Sequence, residues 1–139
     1  MQATQKNYSI FNAGFFGDLA KKETDGRTGR IMLGKALGLS GCEISLNSCP
    51  PGVFAPFVHS HKQNEEVYII LNGSGMFYVD GEEFPVGEGD AIRVAPDGKR
   101  AISPGDGGII YICIQTQNNS LVQATEEDGT LNEEKASWM

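Results

Sequence analysis

Between about residues 42 and 115 the apolar positions come in short runs of β-branched and aromatic residues, separated by turn residues. In residues 42–48, Ile44 and Leu46 alternate with Glu43, Ser45 and Asn47, the period-2 pattern of a half-buried strand. Pro50-Pro51-Gly52 predicts a turn, and residues 57–60 read as extended. Residues 66–71 carry a strong strand signal that Asn72-Gly73-Ser74-Gly75 closes. Residues 76–79 run into Asp80-Gly81, a pair suited to a type I′ hairpin. Residues 82–86, 91–94, 100–103 and 109–115 complete the series. Pro85 demotes its own run to an edge or a bulge, because proline cannot donate to a ladder. No helical period of useful length interrupts the region, so the chain reads as all-β, an antiparallel sandwich or barrel.

The ends are patterned differently. Residues 8–23 mix aromatics with glycines and predict a short helix or an arm that covers a sheet. Residues 31–33 predict a further strand. After Gln117 the chain turns polar and acidic. Thr130 and Glu133 stand at capping-box spacing, which predicts a short helix over residues 131–136. Trp138, the only tryptophan, either docks on the barrel or a partner subunit, or frays with the tail.

Composition narrows the function classes. At 139 residues and 15.0 kDa, 40% hydrophobic and 21% charged, the chain suits one globular domain. The expected organisation is a single domain over 1–139, with a barrel core at about 40–116, an N-terminal arm over 1–30 and an acidic tail over 117–139. Eleven basic residues against eighteen acidic ones leave a net charge of −7 with no basic run. Nucleic acid and anionic membrane surfaces are therefore not expected partners. Cys42, Cys49 and Cys113 are odd in number and unlike a secreted disulfide framework. No apolar signal core opens the chain, and no stretch approaches the roughly 20 residues of a membrane span. The expected compartment is the cytoplasm.

The candidate chemistry lies in Phe57-Val58-His59-Ser60-His61, which holds both histidines and is followed by Glu65 and Glu66. Alternate residues of an extended segment share a face, so two imidazoles roughly 6.6 Å apart along the chain can converge on one ion. A carboxylate from the next strand would supply a third donor.

This segment resembles the first signature of the cupin family: glycine, five residues, His-x-His, three or four residues, glutamate, six residues, glycine. His59, His61, Glu66 and Gly73 meet it, with Gly52 one residue early. The spacing selects Glu66 over Glu65. The second signature is glycine, five residues, Pro-x-Gly, two residues, histidine, three residues, asparagine. Pro96 and Gly98 follow its framework, with Gly89 one residue early, but Ala101 stands at the histidine position and Gly105 at the asparagine. The resemblance implies a small single-domain cupin of the conserved-barrel type, a double-stranded β-helix or jelly-roll barrel, and a homodimer. It implies a divalent transition metal (zinc, iron, nickel or manganese) held by His59, His61 and Glu66, with open positions for water or substrate.

Other residues carry secondary expectations. Tyr68 shares the parity of Glu66 and should line the pocket with it. Tyr111, Cys113 and Gln115 share one strand face; turned inward, Cys113 or Gln115 would reach the ion or a ligand, although a small buried cysteine explains Cys113 as well. Arg100 and Arg93 stand either at the barrel mouth, clamping a substrate carboxylate, or in surface pairs. Glu43, Ser45 and Asn47 line the lumen or form a solvated face. Tyr68, Arg100 and Gln115 are thus the ligand-binding candidates. Two functions compete for a small-molecule ligand: a metal-dependent enzyme, and a metal-free module that binds a sugar or organic acid without turnover.

Overall fold

Two long strands organise the molecule, and the glycines inside them decide its shape. The computed structural model describes residues 2–4, 7–123 and 125–139, with side chains from 7 to 123 and 126 to 139. In chain order the strands are β1 (Gln2–Thr4), β2 (Ser9–Phe11), β3 (Glu23–Thr24), β4 (Arg27–Thr28), β5 (Arg30–Met32), β6 (Glu43–Cys49), β7 (Asn64–Val79), β8 (Glu82–Gly87), β9 (Ala91–Val94) and β10 (Arg100–Gln117). A 3-10 helix spans Phe16–Lys21, and two short helices are α1 (Leu33–Leu37) and α2 (Thr125–Asp128). The main sheet runs β5-β6-β10-β7-β8, with β9 also on β7, and every pairing is antiparallel. The patterning implied an all-β antiparallel sandwich or barrel, and the arrangement is the double-stranded β-helix that the resemblance implied.

Asn72-Gly73-Ser74-Gly75 does not reverse the chain, as its composition suggested. It lies inside β7, which passes from one part of the sheet to another without ending. Gly73 has φ +78°, and a Cβ there would run into the Gly108 carbonyl of β10. The pairing shifts register between Pro104 and Ile109, where β10 carries extra residues. Glycine here marks a bulge and a close backbone approach rather than a turn. The runs at 100–103 and 109–115 accordingly belong to one strand. Asp80 and Gly81 do reverse the chain, both at positive φ (50° and 93°), as a type I′ turn requires. Pro85 sits on β8, the last strand on its side of the sheet, where a missing donor costs no ladder bond.

Two apolar clusters hold the sheet. Tyr68, Ile70, Phe77, Val86, Val94, Ile109 and Cys113 form the barrel core. Leu19, Ile31 and Leu46 form a second, with Phe11, Ala13, Leu33 and Ile112 around it. The N-terminal segment is therefore both a short helix and a cover: its Leu19 is 1% exposed against the outward parity of β6 and β10. Opposite that face, Ser45 and Asn47 are buried on the inward parity of β6.

Two expected elements are absent. Residues 57–60 form no strand, only a single antiparallel bridge between His59 and Arg100. Residues 131–136 form no helix; Leu131 is fully exposed, and Trp138 is 83% exposed rather than docked on the barrel. Six residues with no apolar face to bury cannot offset helix nucleation. Among the described residues no helix is long and apolar enough to cross a membrane.

Candidate metal centre

The histidine segment is held by its backbone, while its two imidazoles line the barrel pocket. His59 N donates to Arg100 O at 3.1 Å, and Arg100 N donates to His59 O at 2.9 Å. His61 N donates to Pro96 O at 2.9 Å. The turn of the second signature, Pro96-Asp97-Gly98, thus serves as the shelf on which the first signature rests. Glu66 lies on the inward parity of β7, paired with Gln115 of β10 and Val94 of β9.

His59, His61 and Glu66 each offer one donor atom, and these lie within 4.8 Å of one another. The Nε2 atoms of His59 and His61 stand 3.8 and 3.4 Å from the same oxygen, Glu66 Oε1. Two ligands about 2.1 Å from a shared ion would stand roughly 3.0–3.5 Å apart at bond angles near 90–110°. His61 Nε2 is buried and has no hydrogen-bond partner among the described residues. A buried ring nitrogen close to a carboxylate yet making no hydrogen bond is what a ligating histidine looks like before coordination. The donor set therefore fits a divalent transition metal. When bound, such an ion supplies Lewis acidity and leaves coordination positions for substrate oxygens.

Glu66 is oriented from behind. Tyr68 Oη donates to Oε1 at 2.9 Å, and Cys113 Sγ donates to Oε2 at 3.2 Å. Arg100, 0% exposed, brings Nε to 3.5 Å from Oε1 and donates from Nη2 to Ala95 O at 2.9 Å. The Nε contact is an ion pair by distance without the alignment of a hydrogen bond, for Nε and Nη1 have no hydrogen-bond partner among the described residues. Burial pushes the Tyr68 hydroxyl and the Cys113 thiol far up, and the nearby Glu66 carboxylate adds to both. Each therefore remains a protonated donor. His59 is shifted down, first by partial burial, against the opposing pull of Glu66, with Arg100, His61 and Arg30 adding to the fall. Although its side chain is 42% exposed, the buried part of the ring decides the direction.

The donors open onto a pocket of about 360 Å³, lined by Ser45, Asn47, Tyr68, Ala101, Tyr111 and Gln115 among others. Tyr68 reaches it beside Glu66, and Gln115 lines it while accepting from Asn64 Nδ2 at 3.0 Å. Ala101 contributes wall and volume where the second signature has histidine. Cys113 faces the lumen, but its thiol is engaged with Glu66. Arg100 differs from the expectation of a clamp at the mouth: it is sealed behind Glu66, because the β10 pairing turns its side chain into the core. Arg93 lies on the outer surface with Glu65 (3.2 Å) and Asn118. Glu43 turns from the lumen and accepts from Gly34 N at 2.7 Å. Arg27 and Arg30, also on the pocket lining, were not singled out from sequence. They come from β4 and β5, ahead of the signatures, and only the pairing of β5 with β6 brings them in.

Comparison with known proteins agrees with this architecture. The family description "Cupin domain" matches residues 47–114. A cupin protein from Bacteroides fragilis of known structure is 41% identical, superposes with a TM-score of 0.75, and covers 92% of this chain and 99% of its own. A Cupin 2 conserved barrel domain protein from Salinispora arenicola shares the fold at 21% identity and a TM-score of 0.51, over 57% of this chain and 66% of that one. The uncharacterized protein MJ1618 of Methanocaldococcus jannaschii is 44% identical over 39 residues, which is 28% of this chain and only 31% of that protein. With the His-x-His segment, Glu66 and the Pro-x-Gly shelf joined in one barrel, and a relative alike over nearly its whole length, the chain belongs to the cupin family.

Proposed function

We propose that the protein binds a divalent transition metal through His59, His61 and Glu66 and acts as a metal-dependent enzyme on a small organic molecule held in the barrel. The observation that carries this reading is the buried, unpartnered Nε2 of His61, 3.4 Å from Glu66 Oε1. Three protein donors leave positions for substrate, as a catalytic rather than a closed structural site requires. Elemental analysis of protein purified without a histidine tag tests it, with His61→Ala as the comparison. A stoichiometric transition metal in the parent and its loss in the variant is the expected result. No metal in either sinks the reading.

A second reading, a ligand-binding module without turnover, draws support from Ala101, which widens the pocket where another imidazole would narrow it. Metal-free parent protein that still takes up a sugar or organic acid would favour it. The same proposal includes a cytoplasmic, reducing setting, supported by three free cysteines. It also includes a homodimer, supported by apolar side chains left exposed beside the pocket.

A further inference from the structure

The metal-donor pocket holds a second charged group that the fold does not use. Arg30 opens β5, where its backbone pairs with Asn47, and its side chain lines the pocket together with Arg27 from β4. Its Nε is buried and has no hydrogen-bond partner among the described residues. No carboxylate forms an ion pair with it among those residues either. The one carboxylate on the pocket lining, Glu66, is already engaged by Tyr68, Cys113 and Arg100. The charge of Arg30 is felt across the lumen, at His59, Cys49, Tyr111 and Cys113.

A buried guanidinium nitrogen without a hydrogen-bond partner is costly, and none of the described residues supplies one to Arg30 Nε. Its planar fork matches the paired oxygens of an oxyanion better than any neutral group. Arg100 cannot serve, since it is sealed from the lumen. In a chain of net charge −7, the pocket is locally positive: Arg27 and Arg30 line it, Arg100 stands behind Glu66, and Glu66 is the lone acid.

We infer that Arg30 anchors an anionic ligand of the small-carboxylate class in the barrel, with Arg27 at the rim and the ligand's remaining oxygens directed toward His59, His61 and Glu66. The inference takes from the proposed function only that this lumen is the ligand pocket. Phosphate shares the oxyanion chemistry, so the test separates the two.

Isothermal titration of the untagged full chain with malonate, inorganic phosphate and uncharged malonamide provides that test. It is run after chelation and again after zinc loading, on the parent, Arg30→Gln, Arg30→Lys and His61→Ala. Malonate is expected to bind the parent in both states, and malonamide in neither. Arg30→Gln should weaken malonate roughly tenfold or more in both states, with Arg30→Lys between. Unliganded Arg30→Gln should melt no lower than the parent, because it removes an unpaired charge rather than a contact. Parent-like malonate affinity in Arg30→Gln, equal binding of malonamide, or no malonate binding would overturn the inference. Phosphate bound in preference to malonate would overturn the carboxylate class. A lower melting temperature for unliganded Arg30→Gln would make the residue structural and likewise overturn it. Failure of zinc to tighten malonate in the parent would count against the metal reading alone, leaving Arg30 in place.

Discussion

At Glu66 a single carboxylate faces two imidazoles in front, with two hydrogen-bond donors and a guanidinium behind, and its orientation decides whether the three groups converge. Tyr68 Oη supplies the shorter of the two hydrogen bonds that hold it. Groups behind a ligand typically change metal affinity by about 10–100-fold when removed. Tyr68→Phe keeps the ring packed against Phe77 and deletes only the donor. It should therefore lose metal affinity in that range while melting close to the parent, as read by competition with a chromogenic chelator. Unchanged affinity would mean that Glu66 needs no support. The histidines add a pH dependence. His59 is shifted down, so the fold resists its protonation, and a free imidazole in the unfolded chain takes up a proton first, near pH 6.5. The unfolded state then binds more protons, so this contribution to stability is present above about 6.5 and is lost as pH falls through the folded value. Metal retention should follow the same direction, persisting somewhat below about pH 6.5 and failing at more acidic pH. Equilibrium dialysis along a descending pH series checks it, and half-release at alkaline pH would argue against histidine ligation.

The bend in β7 and β10 belongs to the next scale, because it carries the lumen-facing rows of both strands around the pocket. Gly73 combines positive φ with a carbonyl where its Cβ would stand, whereas Gly81 has positive φ with open space around it. Gly81→Ala should cost only backbone strain, about 1 kcal/mol, and Gly73→Ala should cost more, about 2–3 kcal/mol. Urea unfolding of the two variants gives the comparison; equal losses would mean that the close approach relaxes freely. The same glycines show where sequence reading stops. Asn72-Gly73-Ser74-Gly75 has turn composition, and local chemistry alone cannot separate a reversal from a bulge whose partner, Gly108, lies far along the chain. The runs that became β6, β8 and β9 and the hairpin at Asp80-Gly81 were legible, because short apolar runs between turn residues are local patterns. The grouping of His59, His61 and Glu66 was legible because ring spacing and the first signature are local in sequence. The placement of Arg100 behind Glu66 and the presence of Arg30 on the lining were not, since one is turned inward and the other brought in by pairings that no window of residues contains.

Across the whole molecule, the unbalanced feature is apolar surface beside the pocket. Val53, Phe54, Phe57, Val58 and Met76 are 43–62% exposed, and Phe57 also belongs to the pocket lining. With aromatic side chains offering about 150–250 Å² each, the patch leaves on the order of 400 Å² of apolar surface in water. A stable interface buries about 800 Å² per partner, so the patch could form the centre of one and not its whole extent. A two-fold contact between copies would present the patch to itself, which suits a self-complementary apolar surface. Light scattering after size exclusion should therefore give a mass near twice 15.0 kDa, and Phe57→Ser should shift the population toward monomer as the protein is diluted. Because Phe57 walls both surfaces, dilution of the variant should also speed metal loss to a chelator. A parent that stays monomeric at high concentration would leave the patch without a second copy to cover it. Dissociation with unchanged metal loss would separate assembly from the site.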